Sequence, residues 1–489
     1  MTGRGNNNKF SRRNFLQVAA GATAFTALPA ARAFAADEKA TGASDHVVDV
    51  AILGGGLAGL TAARDLQRAG CESFVVLEAM DRVGGRTLNH DLGNDQFSEA
   101  GGQWIGPGQT AIADLTRELG IGTFPTYYQG KTTFMAGDGQ ASVDLGGTFG
   151  TDMKIAAKLD ELARGVPSGA PWKAERAAEL DKMSLGDWLA QQGFSPEDRI
   201  GWSISSFLTG GVMPAKMGFL HFLSMINSAD SRYDRLDSIK DSAQETRISG
   251  GSQVLSLKMA EALGDKVRTA SPVRRIRDWD QSVVTLETDT GIVHARQIIL
   301  AMSPAMCQQI DFDPVLPTPR QELQRQWPAH SPARKVAHVY KKPFWRDKGL
   351  NGHIMQAQGP IFWAYDNSPE DASIGVINAF VAQSMLPADH QQAEKILSEI
   401  YARALGEEAL HPIQYHDHDW GQDPWILSCV SAIPPGFWTQ HGEALHPSVG
   451  RLIWSGTETA GIWAGYMDGA VRSGHRAALQ ALNNLRRSA

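Results

Sequence analysis

Cysteine is scarce in this 489-residue chain, which contains only Cys71, Cys307 and Cys429. Three widely separated thiols in apolar surroundings do not form a disulfide framework, so we expect three buried free thiols. No His/Cys cluster has the spacing of a metal site, and there is no Gly-x-Ser-x-Gly or Walker sequence. These absences argue against a metalloenzyme, a serine hydrolase and a P-loop nucleotidase.

A strong excess of charge of one sign is also missing. The 46 Lys and Arg residues and 53 Asp and Glu residues give a net charge of −7. Nucleic-acid binding depends on clustered positive charge, so this balance argues against a nucleic-acid partner. The content of 42% hydrophobic and 20% charged residues is typical of a globular protein. The length indicates roughly two to three domains.

Long hydrophobic runs are absent as well. The apolar stretch from Val18 to Leu28 is shorter than the about 20 residues that a membrane-spanning helix needs, so we expect no membrane anchor. Arg12 and Arg13 precede this stretch in a twin-arginine pattern, and residues 1–36 are predicted to be a signal peptide. We therefore expect a periplasmic or secreted protein that is exported in its folded state. A disordered arginine-containing leader is the alternative.

What the sequence does contain is a glycine motif between a predicted strand and a predicted helix. Val48 to Leu53 is apolar and rich in β-branched residues, and Leu60 to Leu66 has a helical pattern. Between them, Gly54, Gly56 and Gly59 have the spacing Gly-x-Gly-x-x-Gly. The first glycine makes a tight turn, the second lets the backbone approach a pyrophosphate, and the third lets helix and strand pack closely.

An acidic residue accompanies this motif. Glu78 follows the predicted strand Phe74 to Leu77, about 20 residues beyond the glycines, where a carboxylate can accept hydrogen bonds from a ribose. The helix N-terminus offers free N–H groups and a partial positive charge to the phosphates. Together these features predict a dinucleotide site, and a plain β-turn-α corner is the alternative.

Further glycine-rich segments indicate a larger ligand than a nicotinamide. Gly84-Gly85-Arg86 lets the chain pass close beside a ligand and places a cation there, and the segment 99–104 follows shortly after. Near the C-terminus, residues 450–459 predict a strand and a glycine turn, and a helix is predicted to begin near Met467. The backbone N–H groups at this helix could meet a flavin carbonyl, with Tyr466 at the mouth of the site.

In their order along the chain, these motifs resemble those of the flavin-containing amine oxidase family, the monoamine and polyamine oxidases. The resemblance covers nearly the whole chain after residue 45. Its other motifs are Gly250-Gly251-Ser252-Gln253, Pro272-Val273, Lys335 ahead of Pro343-Phe344-Trp345, and Pro434-Pro435-Gly436 followed by Thr439-Gln440.

The family resemblance implies an α/β fold with two interleaved domains. The Rossmann-like FAD-binding domain would comprise residues 47–130, 248–330 and 440–485, and the α+β substrate-binding domain residues 131–247 and 331–439. Periodicity alone indicates only an α/β protein. It predicts helices over 154–162, 185–192, 217–226 and 392–405, and strands over 283–288, 298–301, 337–340 and 374–378.

FAD is the cofactor that the resemblance implies. The residues expected to bind it are Gly54, Gly56, Leu57, Ala58, Gly59, Glu78, Ala79, Gly85, Arg86, Gly101, Gly102, Gln103, Trp104, Val273, Gly456, Thr457, Glu458, Gly465, Tyr466 and Met467. The expected partners are a small amine and either O2 or a periplasmic redox carrier. A homodimer is the usual symmetric outcome for such a protein.

The implied chemistry removes a hydride from the carbon beside the amine nitrogen. The flavin N5 accepts the hydride, and the protein contributes position, dryness and electrostatics. The amine reacts in its neutral form, which an apolar pocket favours. The resemblance assigns Lys335 to a water bridge at flavin N5 and Tyr466 to the substrate-facing side of the ring. A solvated strand lysine is the alternative interpretation of Lys335.

The chain departs from the family pattern at the site of flavin attachment. In monoamine oxidases a cysteine ahead of the Pro-Pro pair carries the flavin covalently, and the tyrosine after it forms half of an aromatic cage. Here those two positions are Ser428 and Cys429. We therefore expect non-covalent FAD and a half-cage, with Tyr466 on one side and a small thiol opposite. Such a mouth would admit bulky or secondary amines.

Other substrate-pocket residues follow from the same resemblance. Gln244 falls on a pocket glutamine of monoamine oxidases, and Leu236 and Asp237 fall where apolar gate residues lie. Trp463 is a candidate to fill the space left by the missing cage tyrosine. Two other functions stay open at this point: a flavin desaturase or porphyrinogen-type oxidase of a large apolar substrate, and a non-catalytic flavoprotein.

Overall fold

A computed structural model describes residues 47–136, 139–146, 148, 153–194, 200–236, 238–329 and 333–488. The predicted signal peptide and Asp237 lie outside these residues.

The described strands and helices alternate along most of the chain. The strands are β1 Val47–Leu53, β2 Phe74–Leu77, β3 Asn89–Gly93, β4 Gln96–Glu99, β5 Trp104–Ile105, β6 Thr123–Pro125, β7 Lys131–Ala136, β8 Gly139–Val143, β9 Thr246–Ile248, β10 Val267–Arg268, β11 Val273–Arg277, β12 Val284–Thr288, β13 Gly291–Ala301, β14 Asp311–Asp313, β15 Ala333–Tyr340, β16 Leu350–Gln356, β17 Ile361–Asp366, β18 Gly375–Ala382, β19 Gln414–Asp419 and β20 Leu452–Ser455. The helices are α1 Leu57–Arg68, α2 Thr110–Glu118, α3 Met153–Ala163, α4 Ala177–Leu180, α5 Leu185–Gln191, α6 Ile200–Gly210, α7 Phe219–Ser228, α8 Gln253–Leu263, α9 Thr318–Gln326, α10 His390–Leu405, α11 Phe437–His441 and α12 Met467–Ser488.

An eight-stranded sheet carries the glycine motif. Its order is β10-β2-β1-β13-β12-β11-β14, with β20 also paired to β13. Strands β2 and β13 both run parallel to β1, and β20 runs parallel to β13. The four residues of β2 and the last four of β1 are fully buried apolar side chains, as expected for parallel strands covered on both faces. Their carboxyl ends therefore meet at one edge of the sheet.

Helices α1, α8 and α12 cover one face of this sheet. Helix α1 packs on α12 and α8, and α12 also packs on α2. The contact between α1 and α12 is close because Gly474 has no side chain: a Cβ there would overlap the carbonyl oxygen of Ala58. This packing sets α12 against the first turn of α1, and the first turns of both helices line one cavity.

A second, seven-stranded sheet lies further along the chain, in the order β19-β15-β18-β17-β16-β7-β8. Neighbouring strands pair antiparallel except β16 and β7, which are parallel. Helix α10 packs its buried residues against this sheet. Helices α3 to α7 build a separate apolar cluster rich in aromatic side chains.

Most predicted elements agree with the structure within a few residues at their ends, including the helices at 153–163 and 390–405 and the strands at 284–288 and 375–382. The strand predicted over 298–301 is longer than expected, because β13 begins at Gly291. Among the described residues, no helix is long and apolar enough to cross a membrane. Cys71, Cys307 and Cys429 are free, as expected. The expectation that all three are buried was wrong, because Cys71 and Cys429 are only partly buried.

Candidate active site

The glycine motif forms a tight turn between β1 and α1. Gly54 has a φ of 109°, and a Cβ there would lie 2.6 Å from the carbonyl oxygen of Ala301, so only glycine fits this turn. A Cβ on Gly59 would overlap the carbonyl oxygen of Gly54. Gly56 differs from both, because the nearest atom to its added Cβ would be 3.8 Å away. The space in front of Gly56 is therefore open to a ligand.

The N-terminus of α1 also faces this space. Gly56 is the N-cap residue and no side chain caps the helix, while Leu57 and Ala58 in its first turn line the adjoining cavity. Uncapped N–H groups and the helix dipole together make an anion site. This is the environment that the pyrophosphate of a dinucleotide needs.

Glu78 is held at the end of β2 by backbone hydrogen bonds. Its Oε2 accepts from the Gly55 N–H at 2.5 Å and its Oε1 from the Met80 N–H at 2.8 Å. Burial raises the pKa of Glu78, and these two bonds oppose that shift. Since a carboxylate has about four acceptor positions, it retains capacity to accept hydrogen bonds from a ribose.

A large cavity begins at these residues and extends to the seven-stranded sheet. The predicted residues that line it are Gly54, Gly56, Leu57, Ala58, Glu78, Ala79, Gly85, Arg86, Gly101, Gly102, Gln103, Trp104, Gln244, Val273, Lys335, Cys429, Gly456, Thr457, Gly465, Tyr466 and Met467. The fold thus brings segments from both ends of the chain to one elongated cavity.

Two predicted cofactor residues lie outside its wall. Gly59 lies where α1 packs against the glycine turn, on the side away from the cavity. Glu458 stands behind the wall, where its carboxylate pairs with Arg86 at 2.7 Å. The same guanidinium donates to the Cys429 carbonyl at 3.4 Å, so Arg86 links the turn after β20 to the loop that carries Cys429. Glu458 contacts the cavity only indirectly, because its partner Arg86 is the residue that lines the wall.

Lys335 enters the cavity from strand β15. Successive strand residues point to opposite faces, so its neighbour Arg334 pairs with Asp417 on the other face of the sheet. Lys335 is only 3% exposed, which excludes a solvated lysine. Its Nζ donates to the Gly101 carbonyl at 2.8 Å and to Gln103 Oε1 at 2.5 Å.

Burial lowers the pKa of Lys335 to about 7. The ring centroids of Trp104, Tyr365 and Phe380 lie 5.5, 5.9 and 5.4 Å from its Nζ. The faces of these aromatic rings interact favourably with the cationic form of the amine, whereas burial disfavours that form. Near neutral pH, Lys335 can therefore hold or release a proton inside the cavity.

Tyr466 stands at the turn before α12. The Thr457 hydroxyl donates to its carbonyl at 2.8 Å, and the ring of Trp463 packs edge-on against the Tyr466 ring with centroids 5.0 Å apart. Burial raises the pKa of Tyr466 well above its ordinary value, so the phenol stays protonated. The ring is therefore a rigid, neutral wall of the cavity.

Two of the predicted substrate-pocket residues lie behind the wall of the cavity. Leu236 is buried in the helical cluster, and the Gln244 amide donates to its carbonyl at 3.4 Å. Trp463 lies behind Tyr466, because its N–H is tied to the Gly108 carbonyl. Neither residue lines the large cavity. Leu236 and Trp463 support pocket residues, whereas Gln244 and Cys429 line the cavity themselves.

Several cavity residues were missed by sequence reasoning. They lie on or next to α6, on β18, and in the segments near positions 302–310 and 420–430, and they include Phe207, Leu208, Gly211, Met302, Gln309, Phe380, Trp420 and Val430. Their sequence carries no motif. The helical pattern around Phe207 and the strand pattern around Phe380 could have identified apolar faces, but not the cavity that those faces enclose.

Comparison with known proteins agrees with this arrangement. The family model for flavin containing amine oxidoreductases matches residues 57–482. The chain belongs to this family. It is 37% identical over 450 residues to the putative flavin-containing monoamine oxidase AofH of Mycobacterium tuberculosis, covering 88% of this chain and 96% of AofH. It is 31% identical to amine oxidase A of Sus scrofa, covering 92% and 87% of the two chains.

Solved structures of amine oxidases also superpose on this flavoenzyme. Putrescine oxidase bound to putrescine matches with a TM-score of 0.82 at 31% identity, over 90% of this chain and 99% of that one. Cyclohexylamine oxidase from Brevibacterium oxydans IH-35A matches with a TM-score of 0.83 at 30% identity, over 90% and 100%.

The comparisons confirm the family, the fold class and the enzyme class predicted above. They also confirm FAD as the cofactor, and the glycine turn, the uncapped helix and Glu78 fit its dinucleotide half. The FAD is bound non-covalently, since Ser428 occupies the position where a cysteine would form the covalent link. The enzyme is therefore a flavin-containing amine oxidase, and the residues that line the dinucleotide end of the cavity would hold its FAD.

Proposed function

We propose that this enzyme oxidises a small mono-, di- or secondary amine at the carbon beside nitrogen. When bound, FAD supplies a hydride acceptor at N5, and the resulting imine hydrolyses to an aldehyde or ketone and an amine or ammonia. The observation that carries this proposal is the placement of Lys335 and Tyr466 in the same cavity as the dinucleotide motif. Both residues would face the reacting end of the cofactor.

The apolar character of that end of the cavity favours a neutral amine. Its walls include Phe207, Leu208, Phe380, Val430 and the Tyr466 ring. Desolvation disfavours an ammonium ion there, so the substrate nitrogen keeps the lone pair that hydride loss requires. In this proposal Lys335 supplies hydrogen bonds from within the cavity, and Tyr466 orients the substrate nitrogen by its ring.

Cys429 supports a wide substrate range. It lines the cavity with a small side chain where monoamine oxidases have an aromatic cage residue. Burial raises the pKa of its thiol, so it acts as a small neutral wall. Similar enzymes are named for a linear diamine and for a cyclic amine. We propose that bulky and N-substituted amines are accepted.

The electron acceptor and location are proposed on the sequence alone. The twin-arginine pattern at Arg12 and Arg13 supports export of the folded holoenzyme to the periplasm or beyond. O2 or a periplasmic redox carrier would then reoxidise the flavin. A homodimer is the assembly that we would test first.

Anaerobic mixing of the purified enzyme with amines tests the proposed function. Loss of the oxidised-flavin absorbance with at least one primary, secondary or diamine substrate is expected, and the fastest substrate identifies the class. Failure of every amine to reduce the flavin, together with reduction by a large apolar substrate, would favour the desaturase alternative. Acid precipitation of the same preparation should leave the flavin in the supernatant, whereas flavin retained in the pellet would contradict non-covalent binding.

A further inference from the structure

A continuous set of buried hydrogen bonds runs from Lys335 away from the cavity. Gln103 Oε1 accepts from Lys335 Nζ at 2.5 Å and from the Tyr365 hydroxyl at 2.8 Å. The other end of the same amide, Gln103 Nε2, donates to Asn367 Oδ1 at 2.8 Å. Gln103 is only 1% exposed and Asn367 is fully buried, so water does not compete for these bonds.

The hydrogen bonds end at an ion pair in the protein interior. Asn367 Nδ2 donates to Glu99 Oε2 at 2.9 Å, and the Arg247 guanidinium reaches the same oxygen at 2.9 Å. The side chains of Arg247 and Glu99 are 2% and 0% exposed. Arg247 also donates to the Ser368 carbonyl at 2.7 Å. Glu99 Oε1 and Arg247 Nε have no hydrogen-bond partner among the described residues, so Oε2 is the oxygen through which the Glu99 carboxylate meets both Arg247 and Asn367.

The chemistry of the two ends fixes the direction of every bond between them. An ionised carboxylate can only accept hydrogen bonds, so Asn367 must turn its NH2 group toward Glu99 and its oxygen toward Gln103. Gln103 must then turn its NH2 group toward Asn367 and its oxygen toward Lys335. Reversing either amide would set acceptor against acceptor or donor against donor in a buried site, which is strongly unfavourable.

We propose that the buried Arg247–Glu99 ion pair, acting through Asn367 and Gln103, positions the amine of Lys335 by fixing an acceptor oxygen beside it. This inference rests on the proposed role of Lys335 at the flavin. Glu99, Arg247 and Asn367 are positioning residues, because none of the three lines the cavity. Gln103 is the one member of the set that both lines the cavity and contacts Lys335.

The fixed acceptor should also set the proton affinity of Lys335. A hydrogen bond to the ammonium form favours that form, whereas burial disfavours it. Among the described residues, six other titratable or charged groups lie around Lys335. They are Glu99, Arg247, His90 on β3, Tyr365 on β17, Cys429, and His418 on β19, which is the cross-strand neighbour of Lys335. Burial lowers the pKa of His90 to about 4, lowers that of His418, and raises those of Tyr365 and Cys429, so these four stay neutral near pH 7.

The variant Asn367→Leu tests this inference in the FAD-loaded enzyme. Leucine has a similar size but no polar atoms, so Gln103 loses the partner that fixes its orientation. The flavin absorbance spectrum of the enzyme without substrate is recorded as a function of pH. The midpoint pH of its change should fall by about half a pH unit or more. The same downward shift is expected in the pH profile of flavin reduction. Asn351→Leu is the matched control, since Asn351 is a buried asparagine outside this set of bonds and should shift neither.

The Tyr365→Phe variant provides a second test with the opposite sign. It removes a competing donor from Gln103 Oε1 and leaves both amides oriented, so the midpoint pH of the flavin spectral change should rise. If Asn367→Leu does not fold, Tyr365→Phe alone tests the inference. An unchanged or lower midpoint pH in Tyr365→Phe would overturn it.

The Lys335→Met background separates this inference from the proposed function. The spectral transition should be absent in Lys335→Met, and adding Asn367→Leu should then have no further effect on the spectrum or the rate. An equal effect of Asn367→Leu with and without Lys335 would overturn the positioning role. If Lys335→Met itself leaves the rates of both half-reactions unchanged, the proposed role of Lys335 fails instead.

Discussion

The two ends of the cavity are built from different materials. At the dinucleotide end, the glycine turn at Gly54 and Gly56 and the uncapped N-terminus of α1 present backbone groups to the cavity. At the amine end, side chains from many separate segments converge, including Lys335, Gln244 and Tyr466. A site built from backbone groups tolerates substitutions only if its glycines are kept. A site built from side chains can vary its substrate while the cofactor stays the same.

The largest expected effect is at the backbone-built end. Gly56→Val should abolish FAD binding, because the new side chain has no close neighbour in the protein and would occupy the space that the pyrophosphate needs. The flavin-to-protein ratio of the purified variant measures this. Gly461→Val is the control, since Gly461 also faces open space but does not line the cavity. Normal flavin content in Gly56→Val would remove the distinction between the two ends.

The next effect concerns Lys335 at the side-chain end. Lys335→Met should preserve FAD binding and change the rate of flavin reduction or reoxidation at least about tenfold, or roughly 1.4 kcal/mol of barrier. Stopped-flow measurement of both half-reactions checks this. The exposed Lys341→Met serves as control on the adjoining segment and should leave both rates unchanged.

Tyr466 should show a graded effect. Tyr466→Phe keeps the ring against Trp463 and should change the reduction rate less than about threefold, while Tyr466→Ala should slow it about tenfold or more. Rapid-mixing reduction with one amine across the three proteins makes this comparison. Equal losses in both variants would mean that the hydroxyl, rather than the ring, contributes to the reaction.

The smallest effect should change substrate choice rather than overall activity. Cys429→Tyr narrows the cavity wall, so the ratio of bulky to slim amine oxidation should fall by about tenfold. Competition assays with paired amines measure this ratio. Cys429→Ser keeps the wall small and should leave it unchanged. A constant ratio in Cys429→Tyr would show that Cys429 does not face the substrate.

The difference between the two ends also explains what the sequence could predict. The glycine motif, Glu78 and the strand–helix pattern are local, so short stretches of sequence identify them. The cation at Arg86 follows from its local glycine pair, whereas Lys335 was predicted only through the family resemblance. The bond between Gln103 and Asn367 joins residues 264 positions apart, and no local pattern indicates it. Leu236 was placed in the pocket by counting along the chain, and Trp463 as a residue that could fill the space of the missing cage tyrosine. Neither kind of reasoning distinguishes a lining residue from one behind it.

The central claim is that one cavity holds one FAD, with its phosphates at the backbone-built end and its ring at the side-chain end. A crystal structure of the FAD-loaded enzyme with a bound amine inhibitor tests this claim most directly. The account predicts the pyrophosphate against Gly56 and the N-terminus of α1, the ribose at Glu78, and the flavin ring between Lys335 and Tyr466. A flavin ring bound away from Lys335, or an inhibitor bound outside the wall formed by Gln244, Cys429 and Tyr466, would contradict it.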